Sequence, residues 1–342
     1  MKIKLRTALD VRDGYGYIGQ ELALALDAIG QEVEIEPIKA WYSEDQLKPR
    51  TKELFKPIGN IDFELIIMYP THQFERINKD AGILTMYEAH RCPSVWAQRL
   101  NSLKLPVYAP SEFVRQMFID SGVKVPVHHL PLGIDTKFYV HLDRQFPSKR
   151  PFRFLTIGKM EPRKNLIATV NAFAHLFGNN PDYELIIKTR ENFLNTSAKI
   201  VITKNKNIKV LEKTLTEEEL RKLYYLCDCF VYPSRGEGFA FPPRNAIATG
   251  MPTMVTCWSA LQEIQGAQPI MIKGLSPMHP CGFSYGEEKN LLMADIDEES
   301  LRNSMLMLTD PVIYNNWCKN MKTFKQMSWQ GCAKKLVGMI EK

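Results

Sequence analysis

The chain has 342 residues, enough at roughly 150 per domain for two domains that each bury a core. Hydrophobic residues make up 45% and charged residues 24%, which excludes a disordered, collagenous or coiled-coil chain. The formal net charge of +6 is too weak to name a nucleic-acid or membrane partner, but it is uneven: residues 1–147 carry 18 basic and 19 acidic side chains, the remainder 26 and 19.

Short β-branched and aromatic runs alternate with segments of helical period, the pattern of parallel sheets with crossover helices. In the first half, strands are predicted at 3–9, 33–38, 63–69, 83–87, 106–109 and 127–130. Helices are predicted at 20–29, with Leu22, Ala25, Leu26 and Ile29 on one face, and from the capping residue Ser111 to about Asp120. The polar stretch His141 to Pro151 reads as a linker. The alternation then restarts: strands at 152–157, 183–188, 208–211, 229–232 and 253–256, and helices at 166–177, from Thr216 (a capping box with Glu219) through Leu226, and at 242–249. Residues 311–342 read as helix, anchored by Trp317, Met321, Phe324, Trp329, Leu336 and Ile340.

Seven cysteines without C-x-x-C or His/Cys spacing read as reduced thiols rather than a zinc site. The charged start Met1 to Arg6 does not read as a signal peptide, and no apolar run approaches the roughly 18 residues expected of a membrane span. The expectation is a cytoplasmic protein, with peripheral membrane contact left open.

Gly14-Tyr15-Gly16-Tyr17-Ile18-Gly19 is a formal G-x-G-x-x-G, but Asp10 to Asp13 separate it from the preceding strand. It can be a dinucleotide fingerprint, a structural turn, or a loop facing a phosphorylated ligand. A second glycine loop, Pro233-Ser234-Arg235-Gly236-Glu237-Gly238-Phe239-Ala240, opens a helix through Pro242 and Pro243, and free N–H groups with a helix dipole attract a diphosphate. A carboxylate at Glu237 would be repelled by that diphosphate, so hydroxyl binding suits it better. Gly158 to Asn165 places Lys159, Arg163 and Lys164 at another strand end of the same sheet.

These segments carry a resemblance. The second half resembles the donor domain of glycosyltransferase family 4, the retaining GT-B glycosyltransferases, in Gly158 to Asn165 and Pro233 to Gly250; Pro110-Ser111-Glu112-Phe113 and Pro131-Leu132-Gly133-Ile134-Asp135 are looser landmarks in the first. It implies an α/β fold of two doubly wound Rossmann-like domains facing a central cleft: an acceptor-side domain, 1–147, and a nucleotide-sugar donor domain, 148–310, with 311–342 packing back on the first. Sugar would pass from a nucleotide-sugar to an acceptor hydroxyl with retention, and no metal or cofactor is required. Lys159 and Lys164 would neutralise the diphosphate beside Arg163, Glu237 would bind sugar hydroxyls, Gly238, Phe239 and Ala240 would cradle sugar and phosphate, and Gly16 would approach the donor. Asn245 stands where the family's second glutamate binds ribose.

Glu88 and His90 follow the strand ending at Tyr87 and are candidate catalytic groups. Asp295-Ile296-Asp297 reads as a capped helix start rather than a metal-binding D-x-D. The run Lys48 to Lys56, with four cations and one anion, is either a solvated loop or a patch for an anionic acceptor, a nucleic acid or a phospholipid surface. The competing readings are an NAD-dependent oxidoreductase, resting on Gly14 to Gly19, and a catalytically weakened sugar-nucleotide-binding protein, resting on Asn245.

Overall fold

A computed structural model describes residues 1–70, 72, 77–190, 198–277 and 291–341. His279 and Cys281 lie outside the described residues; the other six cysteines are free thiols. The chain forms two compact units, one of residues 1–87, 91–134 and 327–342, the other of 88–90 and 135–326.

The first unit runs β1 (Lys2–Leu9), α1 (Gly14–Ala28), β2 (Glu32–Tyr42), α2 (Pro49–Glu53), β3 (Phe63–Ile67), β4 (Ala81–Leu84), α3 (Ser94–Leu103), β5 (Val107–Ala109), α4 (Glu112–Asp120) and β6 (Val127–His129). The strands form one parallel sheet in the order β2-β1-β3-β4-β5-β6. Side chains alternate along β1: Ile3 and Leu5 are fully buried, whereas Lys4 pairs with Glu34 and Arg6 with Glu64 across the neighbouring strands.

Here the structure changes one reading. Gly14 to Gly19 is not a loop but the start of α1, capped by Asp13, whose carboxylate accepts the Tyr15 N–H at 3.3 Å. A Cβ at Gly16 would overlap the Asp10 backbone, and one at Gly19 would overlap the Thr7 side chain. The second and third glycines therefore let α1 lie close against β1 and its following turn, a sufficient structural reason for both. The run Lys48 to Lys56 is likewise engaged: Lys48 pairs with Glu21 at 2.6 Å, Arg50 with Asp27 at 2.7 Å and Glu53 at 2.5 Å, and Lys52 with Glu44 at 3.6 Å.

The second unit runs β7 (Phe152–Ile157), α5 (Leu166–Phe177), β8 (Tyr183–Thr189), α6 (Ala198–Lys204), β9 (Ile208–Glu212), α7 (Glu217–Leu226), β10 (Cys229–Tyr232), α8 (Phe241–Ala248), β11 (Thr253–Thr256), β12 (Gln268–Ile270), β13 (Ile272–Pro277), β14 (Leu292–Ile296), α9 (Glu298–Met307) and α10 (Pro311–Met321). Six strands make a parallel sheet in the order β12-β11-β10-β7-β8-β9, and β13 pairs antiparallel with β14. β7, β8 and β10 supply the fully buried Phe154, Leu155, Leu185, Ile187, Phe230 and Val231, continuous apolar runs suited to a sheet covered on both faces. The capping box forms as expected: Thr216 Oγ1 accepts the Glu219 N–H and the Glu219 carboxylate accepts the Thr216 N–H. Asp297 caps α9 through the Glu299 N–H, while Asp295 pairs with Arg235 at 3.1 Å.

The segment after Ile134 is pinned within this unit by Arg144, which donates to the carbonyls of Cys227 at 2.5 Å and Tyr224 at 2.9 Å. Residues 311–342 are two helices rather than one. α10 ends at Met321, a new cap at Ser328 accepts the Gly331 N–H, and α11 (Trp329–Ile340) follows. α10 belongs to the second unit and α11 to the first, where Gly133 leaves no room for a Cβ against the Trp329 backbone.

Candidate functional site

In the second sheet the chain order reverses between β10 and β7, and ligands of open α/β sheets bind at the carboxyl ends of strands on either side of such a point. The loops that leave β7 and β10 bring together Arg163, Lys164 and Glu237.

The Glu237 carboxylate is buried, 5% exposed, and one oxygen collects four partners. Oε1 lies 2.6 Å from Lys164 Nζ and 3.0 Å from Arg163 Nη1, and accepts hydrogen bonds from Ser234 Oγ at 2.6 Å and the Tyr232 hydroxyl at 3.0 Å. The Glu237 N–H donates to Ser259 Oγ at 3.0 Å. Burial alone would raise the pKa of this carboxyl; the Lys164 ammonium and the Arg163 guanidinium overcome that and bring it down to about 2.

Lys164 also donates to the Tyr232 hydroxyl at 2.9 Å, so two of its three N–H groups hold the loop and a third remains for a ligand. Arg163 is spent on the protein: Nη1 donates to the Gly236 carbonyl at 2.8 Å, and Nη2 lies 3.7 Å from Glu88 Oε1 and 3.8 Å from Glu161. Lys159 is half-buried on the same turn, where its carbonyl accepts the Glu161 N–H.

Glu88 to His90 belong to this unit. Gly236 is glycine for a steric reason, since a Cβ there would overlap the Glu88 carbonyl. Burial pushes the Glu88 carboxyl above its ordinary range, and Arg163, at 3.7 Å, offsets this only in part. Two carboxyls beside one guanidinium are thus driven in opposite directions. His90 exchanges two hydrogen bonds with Leu292, its N–H donating to the carbonyl at 3.0 Å and its Nδ1 accepting the Leu292 N–H at 2.9 Å. An accepting Nδ1 puts the ring proton on Nε2.

Gly238, Phe239 and Ala240 are buried and lead into α8. Ala240 caps that helix at φ +68°, a left-handed conformation that an L side chain resists. Arg244 locks the loop, its guanidinium 4.2 Å from the Phe239 ring centroid and its Nε donating to the Phe239 carbonyl at 3.0 Å. Asn245, 5% exposed, has no side-chain hydrogen bond among the described residues. Tyr232, Ser234 and Ser259 complete the site but were not singled out from the sequence. Tyr232 and Ser234 flank Pro233 at the strand end and could have been found there; Ser259 arrives from a distant 3-10 turn and carries no local signal.

Two doubly wound sheets with this loop pair define an α/β fold of the GT-B glycosyltransferase class. The sucrose-phosphate synthase of Thermosynechococcus elongatus superposes with a TM-score of 0.67 over 100% of this chain and 98% of its own, at 13% identity. AviGT4, a glycosyltransferase of avilamycin A biosynthesis, gives 0.59 over 100% and 97%, also at 13% identity. Residues 141–266, within the second unit, match the family Glycosyl transferases group 1. The Escherichia coli serotype-specific mannosyltransferase WbdA is 29% identical over 131 residues, 34% of this chain and 15% of that protein. The chain thus spans about 15% of the length of the curated relatives it matches. Among the described residues, no helix is long and apolar enough to cross a membrane.

Proposed function

We propose that the chain is a retaining glycosyltransferase that moves a sugar from a nucleoside diphosphate sugar to an acceptor hydroxyl. The observation that carries this reading is the coupling of Glu237 to Lys164 at the strand ends of a group 1 glycosyltransferase domain: one ionised acceptor for hydroxyls beside one cation with a spare donor for phosphate.

Glu237 Oε2 takes no part in the four contacts on Oε1 and is the oxygen offered to sugar hydroxyls. Lys164 and Lys159 stabilise the charge that grows on the leaving diphosphate as its bond to the anomeric carbon breaks. The acceptor oxygen bonds to that carbon on the same face and its proton passes to the departing phosphate oxygen, so retention needs no separate base. Backbone amides at Gly238 to Ala240 cradle sugar and phosphate at the start of α8, while Arg163 positions the loop. Glu88 and His90 are proposed to face the reacting sugar, Glu88 as the carboxyl whose burial favours its neutral form. The structural account of Gly16 and Gly19 leaves nothing that specifically favours nicotinamide binding.

The test is donor turnover, with water or a panel of acceptors, by wild type and Glu237→Gln. We expect product of retained anomeric configuration by NMR and a loss of at least about a hundredfold in kcat/KM in the variant, the scale of losing a buried charged hydrogen bond in a transition state. Tight nucleotide-sugar binding without turnover on any acceptor would favour a binding protein; inversion at the anomeric carbon would remove the same-face mechanism.

A further inference from the structure

One buried charge in the second unit is not used by the site above. Lys188, the penultimate residue of β8, is 8% exposed and its ammonium donates to the neighbouring Thr189 carbonyl at 3.0 Å. No acidic side chain lies within ion-pairing distance among the described residues; the charges acting on it are the cations Arg190 and Lys213. Beside it the buried Thr189 Oγ1 has no hydrogen-bond partner among the described residues. An ammonium held largely out of water with one carbonyl acceptor and no carboxylate among the described residues is costly, and a ligand oxygen that accepts a second hydrogen bond offsets that cost.

Position and chemistry narrow that ligand. β8 lies beside β7 on the side away from β10, and Lys188 is in register with Ile157 and Leu211. If Glu237 on the β10 loop holds the sugar and Lys164 on the β7 loop the diphosphate, a base that lies beyond the diphosphate on the side away from β10 comes over β8 and β9. An ammonium only donates hydrogen bonds, so it pairs with an exocyclic carbonyl oxygen of a base and rejects an exocyclic amine at the same place. Guanine and uracil offer a carbonyl oxygen where adenine and cytosine carry an amino group.

We propose, resting on the donor-site reading above, that Lys188 is a specificity-determining residue that reads the donor's base and selects an oxygen-bearing edge, guanine or uracil, over adenine and cytosine. Burial also brings the Lys188 pKa down to about 8, so the ammonium is largely charged at neutral pH and gains from such an acceptor.

The experiment is calorimetric binding of GDP, UDP, ADP and CDP to the full chain and to Lys188→Met, which keeps a side chain of similar length without the charge. Wild type should bind GDP or UDP roughly ten- to a hundredfold more tightly than ADP and CDP, the scale of one charged hydrogen bond. Lys188→Met should abolish that preference without lowering the thermal midpoint of the unliganded protein. A preference for ADP or CDP, no preference, or one unchanged in Lys188→Met overturns the assignment; so does weakening of all four nucleotides alike, which would make Lys188 a phosphate ligand. Were Lys188→Met to melt lower, Lys188→Gln should retain part of the preference, and its loss there would count against base reading. Nucleotide binding that needs Lys164 yet ignores Lys188 leaves the donor-site reading standing, whereas no nucleotide binding removes both.

Discussion

The Lys164 ammonium lies 2.6 Å from the Glu237 carboxylate, with the lysine side chain 15% and the glutamate side chain 7% exposed. Removing one partner of a buried pair costs up to roughly 3–5 kcal/mol, less at Glu237 when Lys164 is lost because Arg163 still lies 3.0 Å away, whereas removing both costs less than the sum. We expect Lys164→Met and Glu237→Gln each to lower the urea midpoint clearly and the double variant to lie well above the additive value. Strict additivity would mean that the contact contributes no coupling.

The two carboxyls of the site should have opposite pH signatures. Glu237, depressed to about 2, contributes stability that is complete above its ordinary pKa of 4.5 and is lost as pH falls from there toward 2. Glu88 is raised, so its contribution favours the fold at low pH and fades as pH rises through and beyond 4.5. Urea titrations from pH 2.5 to 7 should show Glu237→Gln converging on wild type at the acid end, and Glu88→Gln gaining on wild type toward neutrality.

Ala240 holds a left-handed conformation at the start of α8. Ala240→Gly should relieve that strain and raise stability by about 0.5–1 kcal/mol, part of the relief being offset by glycine's greater freedom when unfolded. Denaturant midpoints measure this directly, and a loss of stability would show that the buried alanine methyl matters more than the backbone.

Gly16→Ala should lower stability by more than about 2 kcal/mol, because the new methyl would overlap the Asp10 backbone and α1 would have to move off β1. Gly14→Ala should be tolerated, as a Cβ there meets nothing within 4 Å. Equal effects at the two glycines would contradict the packing account.

Asn245→Ala removes a buried amide that makes no side-chain hydrogen bond among the described residues, so stability should change by less than about 1 kcal/mol while nucleotide-sugar affinity falls several-fold. Calorimetry paired with a thermal melt separates the two effects.

Much of this protein is legible before any coordinates. The alternation of apolar runs and amphipathic segments locates β7, α5, β10 and β11 to the residue, because a strand buried on both faces and a helix buried on one have different local periods. Thr216 with Glu219, Ser111 and Asp297 can be read as caps because their partners lie within three residues. Local patterning failed at Gly14 to Gly19, where a phosphate-loop spacing starts a helix whose glycines answer to a neighbouring strand, and at 322–328, where a helical pattern breaks.

What the sequence by itself determined was the α/β class, the two loops and the residue types within them. Only the tertiary structure decided what those residues do to one another. Separations of 73 residues between Lys164 and Glu237, and 22 between Glu237 and Ser259, close through the order of the strands. That closure gives Glu237 two cations and leaves Glu88 chiefly desolvated, so identical side chains are driven toward opposite protonation states. Lys188 becomes a buried charge with no carboxylate partner among the described residues in the same way: period places it in a strand, but the neighbours that surround it come from elsewhere in the chain.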